Sequence, residues 1–112
     1  MKKAILFIFI LFTGSNLPAQ TKTIDSLRLL LAKEKTDKGK VKLLNKMSSR
    51  FGFGNLRNDS SLWYSQQALE LAQRINYAKG ELEARFNMTN YLFQTGNYPE
   101  ALKLSLHNLK QA

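Results

Sequence analysis

The sequence predicts an all-α protein in which antiparallel helix–turn–helix units stack as a short solenoid. Three observations carry this. Apolar residues recur at helical intervals along the chain, and no stretch alternates as a strand does. The segment Gln94–Leu104, "QTGNYPEALKL", reads as a tight corner between two helices. The chain also matches itself at an offset of 40 residues.

Met1–Ala19 has a charged start, "MKK", then nine apolar residues from Ala4 to Phe12, then the small and turn-forming "TGSNLPAQ". This is the layout of a signal peptide. Its apolar run is well short of the roughly 20 residues that a spanning helix needs. Cleavage is expected after Ala19, leaving residues 20–112 as the folded region, with an uncleaved membrane anchor as the alternative.

After a candidate Thr23 cap, Ile24, Leu27, Leu30 and Leu31 mark a first helix. Val41, Leu44, Met47/Ser48 and Phe51 mark a second, broken by "GFGN" at Gly52–Asn55. Asp59 is placed to cap a third helix carrying Leu62, Leu69, Ala72 and Ile75. A fourth runs from about Ala78 to Thr95, with Leu82, Phe86, Thr89 and Phe93 on one face. The fifth starts at Tyr98 and is still running at Ala112. Between the last two, Gly96 suits the left-handed position past a helix end. Asn97 and Glu100 have the spacing of a capping box, and Pro99 falls in the first turn.

The repeat pairs Leu62, Ser65, Leu69 and Ala72 with Leu102, Ser105, Leu109 and Ala112. These positions fall on one helix face. Leu29, Leu31 and Ala32 pair with Leu69, Leu71 and Ala72 at the same offset. Two helices every 40 residues is a solenoid signature.

Composition narrows the chemistry. The 112 residues hold 17 Lys+Arg, 8 Asp+Glu, one His and no Cys. Without cysteine there is no disulfide framework, cysteine metal site or thiol nucleophile. His107 has no carboxylate or second ligand near it in sequence and reads as a surface residue. "FGFGN" lacks the further glycines, the strand and the Lys of a phosphate loop. Glu81 and Glu83 point in different directions on a helix, so no acid–base pair stands out. Neither a catalytic residue nor a metal or cofactor site is predicted. Removing Lys2 and Lys3 with the signal peptide lowers the formal charge from +9 to +7. Six lysines fall between Lys33 and Lys46. In an exported protein such a patch suits acidic peptide or an anionic membrane surface rather than nucleic acid.

On these residues the chain resembles the tetratricopeptide repeat (TPR) family. Met88, Thr89, Leu92 and Phe93 fall at the patterned positions of a first repeat helix. Gly96, Asn97 and Tyr98 match the turn, and Ala101 the small residue opening the second helix. Arg85 replaces an expected aromatic, and Asn108 a small residue that the earlier repeat keeps as Ala68. The resemblance implies a non-catalytic module for a protein or peptide ligand, with first helices lining a groove. Asn87 and Asn90 occupy positions that bind peptide backbone or carboxylate in the family. Lys46 and Arg50 are the cations expected beside them. The chain also resembles the exported N-terminal repeat regions of bacterial envelope sensor and regulator proteins, which implies periplasmic or envelope localisation. The alternative is a stand-alone exported scaffold docking on anionic lipid or polymer. The broad apolar arc of the last helix predicts an incomplete array that self-associates through its Leu104 side.

Overall fold

The computed structural model describes residues 17–53 and 59–111, with side chains over 23–52 and 59–110. Five helices succeed one another: α1 (Leu17–Lys33), α2 (Asp37–Phe53), α3 (Ser60–Arg74), α4 (Ala78–Gln94) and α5 (Tyr98–Gln111). Each packs on its neighbours in sequence, and α2 also packs on α4. This is the solenoid arrangement: α2–α3 and α4–α5 are the two hairpins, and their first helices lie side by side. Among the described residues no helix is long and apolar enough to cross a membrane.

The helix boundaries refine the expectations. Thr23 does not start α1; the helix begins at Leu17, with Pro18 in the first turn, where no donor is missed. The expected cleavage point after Ala19 therefore falls within that turn, and residues 1–16 lie outside the described residues. Gly52 does not break α2, which continues to Phe53. A β-carbon at Gly52 would lie 3.1 Å from the Ser61 hydroxyl, so glycine there lets α2 and α3 approach. The rest of the "GFGN" break, Gly54 and Asn55, lies outside the described residues. Asp59 occupies the N-cap position of α3 but makes no side-chain cap. Its carboxylate instead accepts the Tyr91 hydroxyl at 2.6 Å, tying the start of α3 to α4. That bond, with the negative charge behind it, pushes the Tyr91 hydroxyl up from its ordinary value.

The corner at Gly96 forms as the sequence requires. Gly96 has φ +84°. Its amide donates to the Phe93 carbonyl at 3.2 Å, and Asn97 to Leu92 at 2.8 Å. This is the paired hydrogen bonding of a Schellman turn. The same turn closes α3, with Asn76 at φ 58°. There Asn76 donates to Gln73 at 3.3 Å and Tyr77 to Ala72 at 2.8 Å. Asparagine tolerates this conformation better than other non-glycine residues.

The core has two apolar clusters. Ile24 and Leu27 of α1 meet Met47 and Phe51 of α2, with Leu43 and Tyr64 alongside. Leu44, Ala68 and Ala84 join α2, α3 and α4, with Leu31, Leu69 and Leu71 packed around them. The expected apolar face of α4 is not the buried one. Phe86 is 59% exposed and Phe93 62%. The buried residues of α4 are Gly80, Ala84, Arg85 and Asn87. A helix held between two others needs small residues for close approach, and its polar groups must be paired. A β-carbon on Gly80 would lie 2.5 Å from Val41 Cγ1 and 2.7 Å from the Tyr77 ring. Buried Arg85 is paired with Glu81 one turn earlier at 2.6 Å.

Candidate interaction surface

The candidate surface lies where α2 and α4 run side by side. Thr36 starts α2: its hydroxyl accepts the Gly39 amide at 3.1 Å, the usual N-cap bond. Glu34 accepts the Thr36 hydroxyl at 2.8 Å and the Thr36 amide at 3.1 Å. These two donors, the hydroxyl first, hold the Glu34 carboxyl below its usual value.

Further along, a polar seam joins α2 and α4. Asn45, wholly buried, donates from Nδ2 to the Gly80 carbonyl at 3.1 Å. Asn87 donates from its own Nδ2 to the Asn45 carbonyl and to Asn45 Oδ1, both at 3.3 Å. A second polar seam joins α2 and α3. Ser48 donates to the Ser61 carbonyl at 2.7 Å, and Ser61 to the Ser48 carbonyl at 2.9 Å. Such buried, satisfied bonds leave each partner costly to remove.

The four predicted peptide-binding residues are therefore placed differently. Asn87 is 5% exposed and faces inward, its amide nitrogen engaged by Asn45. Asn90, one turn later on α4, is half-buried, while Lys46 and Arg50 are exposed on α2. Lys42, Lys46 and Arg50 succeed one another at intervals of four, so they line one face of α2. They form no ion pair with a described residue. Like charges stacked in this way cost a few tenths of a kcal/mol per pair. Lys38 differs, its ammonium lying 4.9 Å from the Tyr77 ring centre. Asn45 is a residue that the sequence reading misses. Its signal is present, a polar residue at the core spacing of Val41, Leu44 and Ser48.

A cavity of about 130 Å³ lies between Phe51, Gly52, Asp59, Ser61, Tyr91, Gln94 and Thr95. That is below the roughly 300 Å³ at which ordinary small-molecule sites begin. Among the described residues no three His, Cys, Asp or Glu side chains gather as a metal site would need. His107 is exposed on α5.

Stacked helical hairpins with a row of exposed cations along one first helix are the architecture of a helical-repeat module. The family described as the SusR N-terminal TPR domain matches residues 18–111, and the chain belongs to that family. TPR domains work by binding protein partners and are generally non-catalytic. No curated protein and no solved structure matches the chain.

Proposed function

We propose that this chain is an exported peptide-binding module that acts as the sensing start of an envelope signalling protein. The observation carrying the binding reading is the row Lys42, Lys46 and Arg50, exposed, self-repelling and without an ion pair to any described residue, beside the α2–α4 seam. An acidic peptide laid along the two first helices would relieve that repulsion. Half-buried Asn90 is the amide donor for its backbone or terminal carboxylate. Asn87 acts behind it, holding α4 against α2 through Asn45. Catalysis forms no part of this reading.

Titration with a fluorescent acidic peptide selected by display tests the groove. Asn90→Ala, and Lys46→Glu with Arg50→Glu, should each lower affinity at unchanged helical content. Unaltered affinity in both would sink the groove. Binding of the protein to anionic vesicles, falling steeply with salt and lost in the same variants, would favour the scaffold alternative. Export rests on the Met1–Ala19 pattern. N-terminal sequencing from an envelope fraction should begin at Gln20; intact Met1 on cytosolic protein would overturn it.

A further inference from the structure

The cavity of about 130 Å³ lies where α2 and α4 end and α3 begins, and its lining is of one chemical kind. Three hydroxyls line it, and each spends its hydrogen inside the protein. Tyr91 donates to the Asp59 carboxylate at 2.6 Å. Ser61 donates to the Ser48 carbonyl at 2.9 Å. Thr95 donates to the Tyr91 and Leu92 carbonyls, at 3.0 and 3.2 Å. A hydroxyl whose hydrogen is committed offers only lone pairs. Asp59 adds a carboxylate, which only accepts, and it forms no ion pair with a described residue. The Gln94 amide, exposed, can turn its oxygen inward. Two helix C-terminal ends border the cavity, and such ends favour cations. The opposite end of α3 has the Asp59 carboxylate in front of it.

We propose that this cavity is a subsite for the ammonium of a lysine side chain in the bound peptide. An ammonium carries three donors and no acceptor, the complement of this lining. Its alkyl stem meets Phe51, whose ring is held by stacking on Tyr64 at 5.6 Å, and the bare backbone of Gly52. The volume suits one side chain rather than a metabolite. A β-carbon on Gly52 would lie 3.1 Å from the Ser61 hydroxyl and 4.0 Å from Asn90 Nδ2. Glycine there keeps the cavity open and places it beside Asn90. Phe51 and Gly52 also follow directly on Arg50, the last cation of the row on α2. A peptide with acidic residues against Lys46 and Arg50 would bring its next side chain to Asp59. The place of the lysine in a peptide rests on the groove reading; the amine site itself does not.

Amide NMR spectra of the full chain, titrated with n-butylammonium, test the site without a peptide. The Gly52, Tyr91 and Thr95 signals should move saturably. The neutral n-butanol, of equal size, should leave them in place. Asp59→Asn keeps an acceptor for the Tyr91 hydroxyl but removes the charge. It should weaken amine binding on the order of tenfold or more. Gly52→Ala narrows the cavity and should weaken binding as well, at unchanged circular dichroism. Equal binding of n-butanol, or amine binding indifferent to Asp59→Asn, overturns the proposal. Acetate that moves the same signals more strongly would overturn it in favour of an anion at the start of α3. Tighter amine binding in Arg57→Ala would assign the cavity to that cation of the chain itself, two residues before Asp59 in sequence. Alanine amide binding more tightly than Nα-acetyl-lysine amide would replace the lysine by a peptide N-terminus. The groove is read separately, through the display-selected acidic peptide. If Asn90→Ala and the Lys46 and Arg50 substitutions leave its affinity unaltered while n-butylammonium still binds, the groove fails and the amine site stands.

Discussion

The two hairpins carry matching residues in opposite environments. In α2–α3, the repeat positions Leu62, Ser65 and Leu69 are packed, and the first helix is locked to its neighbour through Asn45 and Gly80. In α4–α5, Leu102, Ser105 and Leu109, the residues forty positions on, stand in water. Hydrophobicity does not separate the two hairpins; their neighbours in the array do. Helix α4 stands over the first hairpin, and no described element stands over the second. A leucine on such a chain is core or interface according to its neighbour in the array, which is how repeat proteins distribute stability.

Substitutions at paired positions sharpen this contrast. The largest effect is expected at Gly80→Val, whose branched side chain would drive into Val41 and the Tyr77 ring. A loss on the order of 3 kcal/mol is expected from such overpacking, read by denaturant unfolding. Phe86→Ala, on the bare side of the same helix, should cost under about 0.5 kcal/mol. Equal costs would mean that the exposed face of α4 is covered in solution.

Next comes the leucine pair. Leu69→Glu places a charge beside the Leu44–Ala68–Ala84 cluster and should cost about 2 kcal/mol or more. Leu109→Glu, its counterpart 73% exposed, should be near neutral in thermal melts. A strongly destabilised Leu109→Glu protein would refute the difference in burial. Asn45→Ala belongs between these, at about 1–3 kcal/mol, because it strips Asn87 of its acceptor side chain and the Gly80 carbonyl of its donor.

The two corners give a smaller contrast. Gly96→Ala forces a β-carbon into a left-handed position and should cost about 1 kcal/mol. Gly96→Val should cost more. Asn76→Gly relieves the same conformation in the first corner and should be near neutral. The smallest effect belongs to Glu34, which only the first hairpin has at its entrance. Its carboxyl is held below its ordinary value by Thr36. Its contribution is therefore complete above that ordinary value and is lost as pH falls through the lowered one. Melts of wild type and Glu34→Gln should differ slightly at neutral pH and converge in acid. A difference that widened in acid would mean that the sign is wrong.

Local sequence is enough to define the helices, the two-hairpin repeat and the corner at Gly96. These depend on short-range properties: apolar spacing, a glycine where φ must be positive, and an offset that preserves one helix face. The basic row is equally legible, because Lys42, Lys46 and Arg50 share a face on any helix. Which side of α4 lies inside is a matter of tertiary packing alone. Sequence patterning favours Leu82, Phe86 and Phe93, yet the helix buries Gly80, Ala84 and Asn87. The space between α2 and α3 admits small residues and a matched hydrogen-bond pair, and close contact there outweighs the hydrophobicity of the opposite face. The same reason separates Asn87 from Asn90. Asn87 lies within reach of the Asn45 backbone and side chain, while Asn90, one turn on, remains half open to solvent. Asp59 likewise holds the cap position, but the Tyr91 hydroxyl, 32 residues away in sequence, takes its carboxylate. Such pairings depend on where distant helices cross, which local sequence does not encode.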